Sequence, residues 1–118
     1  MARVALVALT LFAAGCAADT PGKHATVALM ADIRACDEMN FPTYMEETKC
    51  RNAAEDRQRK YFDYPDLLAM RQKKRIELSR RADRGEITFE QGKAEWDKFF
   101  AEIKVEVLER DARKRKAR

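Results

Sequence analysis

Arg84-Gly85-Glu86-Ile87-Thr88-Phe89-Glu90-Gln91 decides the fold. A glycine just past a helical stretch takes the left-handed conformation that closes a helix, so Gly85 ends one helix. Thr88 followed by Gln91 is a capping box, whose hydroxyl and side-chain amide satisfy free backbone amides where the next helix starts. Only a few residues separate the two signals, so the helices must run antiparallel. Downstream, Phe89, Gly92, Trp96, Phe99/Phe100, Ile103 and Val107 recur at helical spacing and predict an apolar stripe. Trp96 is expected to supply its largest buried area, and Gly92 to let a partner backbone approach. Upstream, Pro65 opens a helix at a position where its missing N–H costs nothing. That helix runs to about Arg84, with Leu67, Met70, Leu78 and Ala82 on one side. Arg71, Lys74 and Arg75 interrupt this stripe, so alkyl stems are expected to cover part of the core.

Before Pro65, Tyr61-Phe62-Asp63-Tyr64 places three aromatics at a corner. Such a cluster can form a stacking platform or a ligand pocket; its commoner role is to pack two hairpins together. The first hairpin begins at Ala25, where Val27, Met30, Ile33 and Cys36/Asp37 fall three or four apart. It turns at Asn40-Phe41-Pro42, because a residue before proline is pushed out of the helical region. Thr43 with Glu46 reads as a second capping box, opening a helix that continues to about Phe62. Cys36 and Cys50 then lie ~10 Å from the turn on two antiparallel helices, level with each other. That is the geometry a disulfide needs. The bond would clamp the hairpin by roughly 2–4 kcal/mol. The C-x13-C spacing argues against a redox or metal-binding dithiol, for which CxxC is the usual form. Glu47–Arg51, Glu55–Arg59 and Asp56–Lys60 are spaced for i,i+4 pairs on a helix surface. The neighbouring acids Glu46/Glu47 and Glu55/Asp56 point about 100° apart and cannot converge on one substrate atom. They read as solvated surface.

The chain starts with Arg3, an apolar run from Val4 to Ala14, then Gly15-Cys16. That is the charged, apolar and small-residue order of a secretory signal. The run is too short to cross a bilayer as a helix, which takes about 20 residues. Ala17 to Lys23 is small and polar, with a Pro-Gly breaker, and reads as a tether. The fold expected is therefore all-α: a signal peptide (1–15), a tether (16–24), a disulfide-clamped helical hairpin (25–63), a second hairpin (64–109) and a basic tail (110–118). A charged fraction of 37% with four Gly and three Pro suits long amphipathic helices. Of the three cysteines, Cys36 and Cys50 make an even pair and Cys16 is left over.

The net charge of +4 is concentrated at one end. The last nine residues hold Arg110, Arg113, Lys114, Arg115, Lys116 and Arg118 against Asp111 alone, while residues 16 to 109 hold 17 Lys and Arg against 19 Asp and Glu. In a cytosolic protein such a tail would suggest nucleic acid. In an exported one it faces anionic headgroups, lipopolysaccharide phosphates or cell-wall carboxylates. A solvated helix end whose cations suit the C-terminal dipole reads the same way.

Ala13-Ala14-Gly15-Cys16 resembles the lipobox of bacterial lipoproteins, with Ala13 where that box usually has Leu. The resemblance implies cleavage before Cys16 and lipid modification of its sulfur and new amino terminus. An ordinary signal cut after Ala18 is the alternative. Leu78, Gly85, Ile87, Thr88 and Glu90 resemble the "Leu…Gly-x-Ile-Thr-x-Glu" turn of the short C-terminal helical hairpin known as SHOCT. The whole layout is similar to small, uncharacterised proteobacterial lipoproteins. These resemblances imply no activity; SHOCT-like hairpins imply at most oligomerisation, and the longer last helix and basic tail depart from their usual ending.

The sequence has no Gly-rich phosphate loop, GxSxG, HExxH or paired CxxC. His24, the only histidine, has no Cys/His/Asp spacing around it that resembles a metal site. The expectation is a non-enzymatic, lipid-anchored periplasmic protein without metal or cofactor. It would act by binding another envelope component or itself, with the basic tail as a weak site for anionic lipid or cell wall. Ala17 after the cysteine, in place of the aspartate that retains many lipoproteins at the inner membrane, favours the outer membrane. The alternative is a soluble periplasmic binding or chaperone-like module using the Tyr61–Tyr64 corner. A third reading, with no leader, is a cytosolic protein whose tail binds nucleic acid.

Overall fold

The computed structural model describes residues 21–118, with side chains from Ala25 onward. The signal peptide, Cys16 and most of the tether lie outside the described residues. Among those described, the chain is all-α: α1 (Pro21–Glu38), α2 (Tyr44–Arg57), α3 (Pro65–Asp83) and α4 (Phe89–Lys116), with a short 3-10 turn at Arg59–Tyr61. Each helix packs on the one before it and reverses direction. Cys36 and Cys50 are disulfide-bonded between α1 and α2, with Cα atoms 5.9 Å apart. Arg57 reaches Asp32 at 3.1 Å nearer the start of α1. Thr48 and Ser79 hydroxyls meet at 2.5 Å between α2 and α3. Arg81 pairs with Glu95 at 2.9 Å, and Arg110 with Asp66 at 2.9 Å, so α3 and α4 are antiparallel along most of α3.

The α3–α4 turn forms as its residues dictate. Gly85 has φ +72°. The Glu86 amide donates to Arg81 and the Gly85 amide to Ala82, the paired bonds of a Schellman close. The Thr88–Gln91 capping box is complete, with the Thr88 amide donating to Gln91 Oε1 at 2.8 Å and the Gln91 amide to Thr88 Oγ1 at 3.1 Å. At α2 the box is half formed. Thr43 Oγ1 accepts from the Glu46 amide at 3.2 Å, while the Tyr44 and Met45 amides donate to the Asp83 carboxylate at 2.8 and 3.0 Å. One acid at the end of α3 thus supplies the start of α2, a distant anion at a positive helix end.

Several expectations need correction. Helix α1 begins at Pro21 rather than Ala25, with proline in the first turn where it is tolerated. Residues 21–24, read as the end of a tether, are helical backbone. Its inward face is Ala25, Leu29, Ile33 and Cys36, whereas Val27 and Met30 are exposed. The disulfide sets this phase: at about 100° per residue, Val27 lies on the far side of the helix from Cys36. On α3 the buried residues are Leu67, Leu68, Gln72 and Leu78, and Met70 faces solvent. Gly92 meets no partner backbone; a Cβ there would lie 3.3 Å from Ile87 Cδ1, in the turn before its own helix. Trp96 is half-buried and Phe89 is exposed. The basic segment 110–118 is no separate tail, since α4 continues unbroken through Lys116.

Candidate functional site

The least expected feature is at the centre of the α2–α3 interface. Glu55, read as solvated surface and as a partner of Arg59, is buried at 3% exposure. Its two oxygens accept from Arg75 Nη1 and Arg71 Nη2, each at 2.5 Å. Arg75 Nη1 also donates to Asn52 Oδ1. The two guanidiniums lie over aromatic faces: Arg71 is 5.6 Å from the Phe62 ring and 5.8 Å from Phe100, and Arg75 is 5.1 Å from Trp96. Beside them Gln72 donates to Asp56 at 3.0 Å and accepts from Arg59 at 2.8 Å. Arg59 also donates to Asp56 at 2.7 Å, and the Gln72 bond first, then this one, hold the Asp56 carboxyl below the usual range. Every oxygen of Glu55 is taken by the protein itself, so the cluster is a structural centre; Arg71 Nε is its one buried atom without a hydrogen-bond partner.

Two open grooves flank it. One, of about 280 Å³, runs between the start of α2, the end of α3 and the start of α4, over Tyr44, Leu78, Phe89 and Trp96. The other, of about 310 Å³, is lined by Ala25 and Leu29 of α1, the corner Tyr61, Phe62 and Tyr64, and Ile103 and Val107 of α4. The corner aromatics divide their work. Phe62 carries Arg71, and Tyr61 is exposed with Lys60 5.0 Å from its ring. Tyr64 binds the end of α4.

That end holds the six basic residues picked out in the sequence, and the structure splits them. Arg110 pairs with Asp66 at 2.9 Å and with Glu106 at 2.7 Å, and stacks 5.2 Å from Tyr64. Arg110 holds the Asp66 and Glu106 carboxyls below their ordinary range and is itself pushed further up, most by Asp66. Tyr64 donates its hydroxyl to Asp111 at 2.5 Å, which raises the phenol above its usual value, and Lys114 lies 4.4 Å from its ring. Arg110 is therefore a structural clamp rather than part of a free cationic surface. Arg113 reaches only Glu106 of its own helix, at 3.5 Å. Arg115, Lys116 and Arg118 are exposed and have no bonded partner among the described residues.

Of the remaining site residues, Cys36 and Cys50 are joined, and Cys16 and the His24 side chain lie outside the described part. Among the described residues no group of three His, Cys, Asp or Glu is placed to hold a metal, and no helix is long and apolar enough to cross a membrane. No protein-family model, no curated protein and no solved structure matches the chain. The likeness to lipoproteins and to SHOCT hairpins accordingly rests on the residues that carry it.

Proposed function

We propose that this chain is a non-enzymatic envelope lipoprotein: a helical module anchored through acyl groups on Cys16 that acts by contact with another envelope protein or with a second copy. The observation that carries the reading is the Cys36–Cys50 bond between α1 and α2. Disulfides persist in exported proteins and are rare in the cytosol, which fits the signal-like start at Arg3 to Ala14. The bond also accounts for two of three cysteines and leaves Cys16 as the odd one, at the end of the lipobox-like Ala13-Ala14-Gly15. Ala17 favours the periplasmic face of the outer membrane.

The test is the intact mass of the protein from its own host's envelope, with fractionation of the Cys16→Ser variant beside it. A chain beginning at Cys16 with added acyl mass, released from membranes by the substitution, is the expected result. An unmodified chain beginning at Asp19, soluble in both forms, replaces this reading with the second: a soluble periplasmic binding or chaperone-like module. What favours that second reading is the 310 Å³ groove over the Tyr61–Tyr64 corner, large enough for one apolar side chain or two of a client.

A further inference from the structure

Because each helix reverses the one before it, the start of α1, the α2–α3 corner and the end of α4 lie at one end of the molecule. The groove that Ala25 and Leu29 share with Tyr64, Ile103 and Val107 fixes this directly. The chain leading from Cys16 enters at that end. So does the densest positive charge: Arg113, Lys114, Arg115 and Lys116 on the last turns of α4 and Arg118 just past them, all exposed. Of the acids nearest them, Asp111 accepts from the Tyr64 hydroxyl at 2.5 Å, Glu106 is shared between Arg110 at 2.7 Å and Arg113 at 3.5 Å, and Glu109 lies one turn before Arg113, so the cations outnumber them. Arg110 and Asp111 also pin α4 to the corner, so the cations stand on a helix held at a fixed place.

We infer that this basic tip is a second membrane contact, an electrostatic one for anionic phospholipid headgroups, set beside the anchor. It rests on the Cys16 reading for its setting. A polybasic patch near an anionic surface adds an electrostatic attraction to whatever the acyl groups supply. The shape of the tip favours a lipid surface over nucleic acid. At about 100° per residue the five cations splay around the helix axis instead of forming one stripe. A fluid surface can gather headgroups around such a knob, whereas a duplex offers phosphates at fixed spacing. Tyr61, exposed beside Lys60 at the same end, is a residue type that settles at the membrane–water boundary.

The experiment uses the chain from residue 16 onward with Cys16→Ser, which carries no acyl group, and sedimentation with vesicles of phosphatidylcholine alone or mixed with phosphatidylglycerol. Binding is expected to the mixed vesicles only, and to vanish at about 0.5 M salt, where screening acts within a few ångströms. Replacing Arg113, Arg115, Lys116 and Arg118 by Gln should lower partitioning by ~100-fold or more, since each cation near an anionic surface contributes about a five-fold gain. Those four touch no other helix, and an unchanged circular dichroism spectrum verifies the fold. Arg80→Gln with Arg84→Gln, exposed near the opposite end, should leave partitioning within about two-fold. Equal binding to neutral vesicles, equal loss from the opposite-end variant, or tighter binding to a DNA duplex than to mixed vesicles each overturns the inference. The mass of the native protein at Cys16 tests the anchor separately, so either idea can fail without the other.

Discussion

Glu55 and Arg75, twenty residues apart in the chain, meet at 2.5 Å with only 4% of the glutamate side chain and 17% of the arginine exposed. Arg71 takes the other carboxylate oxygen at 2.5 Å. Taking a charge out of water is costly, and the pair is tolerable only because each guanidinium also gains an aromatic face and each oxygen a donor. Removing the acid leaves two arginines facing each other without a counter-charge. Glu55→Gln is therefore expected to cost about 3 kcal/mol, read as a lower urea midpoint with an unchanged slope. Adding Arg71→Met and Arg75→Met to Glu55→Leu should recover most of that loss, because an apolar cluster of similar volume needs no counter-charge.

The disulfide closes a short loop, its cysteines standing 14 positions apart in the chain. Its stabilisation comes mainly from restricting the unfolded chain, about 3 kcal/mol for a loop of this length. The Cys36→Ser, Cys50→Ser double variant should melt well below the native chain under non-reducing conditions. Addition of reductant should lower the melting point of the native chain to that of the variant and leave the variant itself unmoved. An equal response of both to reductant would place the redox sensitivity elsewhere.

Gly85 sits at φ +72°, and a Cβ built there meets nothing within 4 Å. The cost of Gly85→Ala is therefore backbone strain alone, about 1 kcal/mol, with no steric clash to add. Gly92 gives the contrasting case. Its φ is ordinary, its neighbour Ile87 Cδ1 is the flexible end of a side chain, and it lies inside a helix where alanine is favoured. Gly92→Ala is expected to be neutral or stabilising by a few tenths of a kcal/mol in the same thermal melts.

Local signals were legible where one or two residues carry a whole conformation: Gly85, the Thr88–Gln91 box, Pro65 and the antiparallel placement of Cys36 and Cys50. The phase of α1 was not. A stripe through Val27, Met30, Ile33 and Cys36 steps by three, which drifts about 60° per step, and the true face steps back from Cys36 to Ile33, Leu29 and Ala25. Glu55 was missed because α2 has almost no apolar periodicity; its buried residues are Thr48, Ala54 and Glu55. The available clue lay on the partner helix. Arg71 and Arg75, one turn apart in the middle of the α3 stripe, require a buried acid opposite. The end of α4 was read as a tail because its charge hides the continuing helix.

Acid should loosen the α3–α4 interface. Arg110 holds Asp66 and Glu106 below their ordinary values, and Arg81 does the same for Glu95. A carboxyl whose folded value is lowered contributes stability that is complete above its unfolded value and is lost as pH falls through the folded one. Stability is thus expected to be flat near neutrality and to decline as pH falls below the usual carboxylate values of 3.8 for Asp66 and 4.5 for Glu95 and Glu106. The check is the urea midpoint across that range, with Arg110→Met beside the native chain. The variant should show a shallower acid decline, because Asp66 and Glu106 then lose the largest cause of their lowered values.

The Tyr64–Asp111 bond spans 47 residues and, with Asp66–Arg110, is what ties the last turns of α4 to the corner. Beyond it the helix has no apolar face against the bundle, and helix ends without tertiary support fray. Asp111→Asn keeps the shape but removes the charged acceptor, and Tyr64→Phe removes the donor. Each is expected to speed amide hydrogen exchange from Ala112 to Lys116 by about five- to ten-fold, the equivalent of roughly 1 kcal/mol for one hydrogen bond. Exchange at Leu68, Leu78 and Ala54 in the core should stay as it is. The double variant should match either single one, since both remove the same contact, and exchange that rises additively would mean that the hydroxyl or the carboxylate also holds the helix end through another partner.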